Sequence, residues 1–135
     1  MTRSPRSVVL LLGAVGCLAV VAQILARGPG RASDLVAMAP VWAQAVAWLV
    51  PASVAAWCAF RPGADGVGFA VLVAAAAVRS YLYAMAWAGS WVSPGADRYG
   101  WFGAVAWAVL AVMYAGAARW LPGPTDARST QGGAG

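Results

Sequence analysis

The chain has no lysine, glutamate, histidine or asparagine. Its only acidic residues, Asp34, Asp65, Asp97 and Asp126, fall in connecting segments or the tail, outside the long apolar runs. An embedded general acid–base pair therefore has no side chains to draw on. The serines have no base beside them, so nucleophilic catalysis lacks its activating partner. Glycine-rich phosphate loops of the dinucleotide or P-loop type are absent. The two cysteines, Cys17 and Cys58, lie in different apolar runs, form no C-x-x-C pair and have no metal-ligand spacing. They read as small buried hydrophobes. The sequence thus predicts a protein that is not an enzyme, with no catalytic residue, cofactor or metal.

What remains is strongly apolar. Of 135 residues, 62% are hydrophobic and 10% charged, against about half and a quarter in soluble domains. Four apolar runs approach the roughly 20 residues that cross about 30 Å of hydrocarbon. They cover Val8–Ala26, about Val36–Phe60, Gly66 to about Val92, and Trp101–Trp120. Each ends in proline or glycine combined with charge, which stops a helix and marks an aqueous boundary. Lipid cannot satisfy open backbone groups and no barrel-like alternation is present, so the spans are expected to be helices. The fold class expected is all-α: an integral membrane bundle of four transmembrane helices over residues 8–120, antiparallel in sequence order, with short loops. The tail from Leu121 onward, rich in Pro, Gly, Ser and Thr, is expected to be disordered.

Nine arginines against four aspartates give a net charge of +5. The charge is dispersed, so it points to membrane topology and anionic lipid, and nucleic acid is not an expected partner. With residues 1–7 inside, one side holds Arg3, Arg6, Arg61, Arg119 and Arg128, and the other Arg27, Arg31 and Arg98. The bias places both termini in the cytoplasm. Arg3 and Arg6 before an apolar run also suit a signal peptide, with Ala14-Val15-Gly16-Cys17 as a lipoprotein-like cleavage site. The run continues well past Cys17, however, so a retained first helix is the expectation. Exclusive use of Arg over Lys, with abundant Ala and Gly, points to a high-GC bacterium or one of its phages.

Few polar side chains are embedded. Arg79 stands near the middle of the third run, where a charge costs about 2.5–3.5 kcal/mol on insertion scales. Arg79, Tyr83, Trp87 and Trp91 recur every four residues along one helix stripe, which makes Tyr83 the nearest ring for the guanidinium. One reading has Arg79 facing a polar cavity and attracting an anion or water. The other, which the sequence favours, has it snorkelling toward water or lipid phosphate. Gln23 and Gln44 belong to the same outer half of the membrane, close enough in a hairpin to hydrogen-bond as structural glue or to line a water path. Pro51 is expected to bend the second helix and free the carbonyl of Ala47. Small residues at helical spacing, including Gly13, Gly16, Ala74–Ala77 and Gly116, suit close helix approach. Most of the eight tryptophans sit near span ends as an aromatic belt, while Trp48 and Trp107 lie deeper.

The layout resembles small multidrug transporters, but Gln23 stands where an embedded first-span glutamate would be needed. It also resembles four-helix disulfide-generating proteins, whose C-x-x-C is missing. Small size, several spans, basic ends and a short hydrophilic tail resemble holins, phage proteins that accumulate in the cytoplasmic membrane and open holes. That resemblance implies a non-enzymatic membrane protein acting by self-association or by binding a membrane partner. The alternatives are a channel or transporter subunit with an Arg79-lined path, and an accessory subunit of a larger complex.

Overall fold

The computed structural model describes residues 4–27, 39–89, 91–92 and 100–122. The described residues are all-α and form four helices: α1 (Pro5–Arg27), α2 (Val41–Phe60), α3 (Asp65–Gly89) and α4 (Gly100–Trp120). All four are long and apolar enough to cross a membrane. Helix ends depart from the apolar runs where local chemistry intervenes. Ser4 accepts the Ser7 N–H at 3.3 Å, so Ser4 caps α1 and the helix reaches back to Pro5, a favourable first position. Helix α2 begins at Val41, later than Val36, because Pro40 adopts extended backbone with ψ of 148°. Helix α3 stops at Gly89, and Trp91 and Val92 form a turn. The connection at 28–38 and the tail beyond Pro122 lie outside the described residues.

Packing defines two antiparallel hairpins, α1 with α2 and α3 with α4, joined mainly through α2 and α3. The α2–α3 connection is tight. Gly63 takes φ of +86°, a conformation other residues rarely adopt, and the Arg61 guanidinium covers the Trp57 ring at 4.4 Å. Along α1 the buried residues are Leu10, Ala14, Cys17, Val21 and Ile24; along α2 they include Ala45, Trp48, Ala52 and Ala55. Alternating steps of four and three make a seam of the left-handed coiled-coil type. Alanine and cysteine on that seam let the two backbones approach closely. Phe69 and Leu72 of α3 complete the core. In α4 only Gly100 is buried, so its valine-rich flank is left exposed.

The end of the bundle that carries the start of α1, the end of α2 and the start of α3 is the tighter one. A Cβ on Gly68 would lie 2.9 Å from both Cys58 Cβ and Leu10 Cδ2, so three helices meet on the missing side chain. Arg6 then ties the ends together. Its Nη1 contacts Asp65 Oδ2 at 3.1 Å and its Nε donates to the Leu121 carbonyl at 2.7 Å. One guanidinium thus joins α1 to the first residue of α3, where a carboxylate also suits the helix dipole, and to the end of α4. Gly16 and Gly116, expected to be close-approach sites, have nothing within 4 Å of a Cβ position. They face outward, so their periodicity carried no packing.

Four outcomes are expected in detergent unfolding assays. Gly68→Ala should lose about 1–3 kcal/mol by overpacking, while Gly116→Ala should be neutral or gain up to about 1 kcal/mol from helix propensity. Asp65→Asn should cost about 1 kcal/mol as a partly exposed ion pair. Arg6→Gln should cost about twice that, since it also weakens the charge-assisted bond to Leu121.

Candidate functional site

Helices α2 and α3 touch over less of their length than either hairpin pair, and a groove of about 520 Å³ opens between them. Its lining is apolar except for two side chains, Gln44 of α2 and Arg79 of α3. Pro51 lies in its wall next to Ala47. Having no N–H, Pro51 offers nothing to the Ala47 carbonyl one turn earlier, which leaves a backbone acceptor beside the groove. Helix α2 nevertheless runs unbroken from Val41 to Phe60.

Arg79 is held by aromatic faces. Its Cζ lies 5.1 Å from the centre of the Tyr83 ring and 5.6 Å from that of Trp48. Its Nη2 donates a long bond of 3.5 Å to Tyr83 Oη. Cation–π contact in a desolvated setting contributes about 2 kcal/mol, which offsets much of the insertion cost. The Nε of Arg79 is buried and has no hydrogen-bond partner. Trp48 continues the assembly, its ring centre 5.3 Å from that of Trp107 on α4 with planes tilted by 40°. Guanidinium and two indoles therefore link α3, α2 and α4.

Glycines on α4 set the position of Tyr83. A Cβ on Gly103 would fall 2.8–3.0 Å from carbons of the Tyr83 ring, and one on Gly100 would crowd the Tyr83 carbonyl and Trp87. The ring lies in the space those glycines leave, one turn beyond Arg79. A hydrogen bond from Ser80 Oγ to the Ala104 carbonyl at 2.7 Å holds the same level of the α3–α4 interface. The Gly100–Gly103 spacing and Ser80 were visible in the sequence as signals of close approach, but neither was singled out there.

Of the four candidate residues, the structure gathers Arg79, Tyr83 and Gln44 and leaves Gln23 apart. Gln44 is buried, and its side-chain nitrogen donates to the Ala39 carbonyl at 2.9 Å, bracing the start of α2. Gln23 is exposed on α1 and does not line the groove. The helical stripe from Arg79 runs only as far as Trp87, because the helix ends at Gly89 and Trp91 lies in the turn beyond it. Trp87 and Trp91 meet edge to face at 5.2 Å.

The groove does not continue across the bundle. Toward the end carrying Arg6, the space between helices is filled by Leu10, Cys58, Phe69 and Leu72, all almost fully buried. Within the described residues, no three His, Cys, Asp or Glu gather to hold a metal ion. No protein-family model, curated protein or solved structure matches the chain.

The site separates two kinds of substitution. Trp48→Ala should cost about 3 kcal/mol, since it opens a cavity at the meeting of three helices. Tyr83→Phe keeps the ring and removes only a hydroxyl at the limit of bonding distance, so unfolding in detergent should shift by about 0.5 kcal/mol or less.

Proposed function

We propose that this chain is a multi-pass protein of the cytoplasmic membrane, with both termini inside, that acts through lateral association with other membrane components and performs no chemistry of its own. One observation carries this reading. The embedded charge, Arg79, lines a groove that is open on the flank of the bundle and blocked toward the Arg6 end. Such a groove favours recognition from within the bilayer over passage through a single chain. The helices themselves support insertion, with exposed tryptophans at both ends: Trp42, Trp91 and Trp101 at one, Trp57 and Trp120 at the other.

The most concrete form of this reading is holin-like: self-association in the cytoplasmic membrane that ends in holes. The exposed apolar flank of α4, with Val105, Val109, Val112 and Met113, would be the surface for a second copy or a membrane partner. A pore would then form between chains, since the tight end closes each one.

Induced expression in bacteria tests this directly, with membrane potential, viability and carbonate-resistant membrane protein followed together. The expected outcome is stable insertion followed by an abrupt, delayed loss of potential. Sustained potential with abundant inserted protein would eliminate the holin-like form and leave partner docking. Protein washed out by carbonate would overturn the membrane reading altogether. A reporter fused after Pro122 checks orientation. A fluorescent protein should glow there, and alkaline phosphatase should stay inactive.

A further inference from the structure

The groove has a direction as well as a volume. Arg79 lies ten residues before Gly89, so its Cα is ~15 Å below the outer end of α3. Trp48 lies seven residues after Val41, ~10 Å below the same end of the bundle. Because the guanidinium points toward Tyr83, one turn further out, its charge sits nearer the interface than its Cα. The polar lining, Gln44 and Arg79, belongs to the outer part of the groove. Pro51 and Ala75 line the middle of the bundle, and Val71, six residues after Asp65, lies past the middle toward the Arg6 end. The polar end therefore faces the headgroups and the apolar end follows the acyl chains. That matches the arrangement of a lipid in the outer leaflet.

Charge gives the second constraint. Among the described residues, the groove lining includes a guanidinium and no carboxylate. Asp65, at the other end of the bundle, is already paired with Arg6. The aromatic rings beside Arg79 stabilise its cation, but a ring face cannot accept a full-strength hydrogen bond from the guanidinium. A phosphate can, since its several oxygens suit the planar fork of an arginine. An ammonium-bearing headgroup would find no counter-charge in the lining. A volume of about 520 Å³ lies within the range of small-molecule sites. Exposed Ala47, Ala74 and Val78 form its open edge, along which a second acyl chain can lie.

We propose that the α2–α3 groove is a site for one anionic phospholipid of the outer leaflet, with its phosphate on Arg79 and one acyl chain along Pro51, Val71 and Ala75. This inference rests on the membrane reading above and names the component recognised. The lipid takes hydrogen bonds from the terminal nitrogens of the guanidinium and fills the gap between the two hairpins. It would then act as a structural ligand on which lateral association depends.

The test is native mass spectrometry of the purified full chain in detergent. It is titrated with phosphatidylglycerol, with phosphatidylcholine of identical chains, and with inorganic phosphate. Wild type should prefer phosphatidylglycerol by roughly tenfold in apparent Kd and show no comparable binding of phosphate. Arg79→Gln should reduce the preference to about twofold or less. Arg119→Gln, an exposed arginine in the last turn of α4, should leave it unchanged. Ala74→Phe narrows the open edge while keeping the charge, and should weaken binding of the lipid by about tenfold.

Equal binding of the two lipids by wild type would overturn the proposal. So would a preference that survives Arg79→Gln, or one that disappears with Arg119→Gln. Inorganic phosphate binding as tightly as the lipid would also overturn it, by showing a site for the free anion. Should Arg79→Gln fail to fold by circular dichroism, the wild-type comparison and Ala74→Phe still decide. Undiminished lipid binding by Ala74→Phe would sink the site. Carbonate extraction of the membranes from which each protein is purified keeps the two readings apart. Protein that stays in the membrane without a lipid preference overturns only the lipid site, whereas protein that washes out overturns the membrane reading beneath it.

Discussion

A guanidinium inside an apolar helix must be solvated by something, and the half of this bundle away from Arg6 is arranged around that demand. Hydrocarbon would offer Arg79 nothing, and among the described residues no carboxylate lines its groove. The protein answers with two aromatic faces, Tyr83 from the same helix and Trp48 from its neighbour. Each ring is held in turn by α4, Tyr83 against Gly103 and Trp48 against Trp107. Three helices are thus committed to holding one charge. The buried Nε left over is the part of the demand that the described side chains do not meet.

The two ends of the bundle solve different problems. At the Arg6 end, small residues and fully buried Leu10, Phe69, Leu72 and Cys58 give dense packing. There an ion pair and a carbonyl bond fasten helix ends that lie near water. Toward the other end, α2 and α3 stand apart. Pro51 interrupts the hydrogen bonding of α2 where the groove begins to deepen. In lipid no hydrophobic force closes such a gap, because the solvent is as apolar as the side chains.

The tryptophans illustrate how similar residues serve different ends. Trp42, Trp57, Trp91, Trp101 and Trp120 are exposed near helix termini, where an amphipathic ring suits the interface. Trp48 is buried at mid-depth because it serves as a packing and cation-binding surface. Glycine divides in the same way. Gly68, Gly100 and Gly103 are places where another chain atom occupies the space of a side chain, while Gly16 and Gly116 have open space around them.

The one-dimensional pattern of the chain was enough to establish four apolar helices, their approximate limits, the isolation of Arg79 and its pairing with Tyr83. These follow from local rules: helix period, the length needed to cross hydrocarbon, and breakers between runs. Tertiary structure alone decided that Gln44 joins Arg79 while Gln23 faces outward, that Trp48 supplies the second ring, and that Arg6 meets Asp65. The reason is rotational. Composition sets how apolar a helix is, but a helix apolar on nearly every side carries little information about which face turns inward. Only the fit of side chains against neighbouring helices fixes that angle, and with it the identity of the groove.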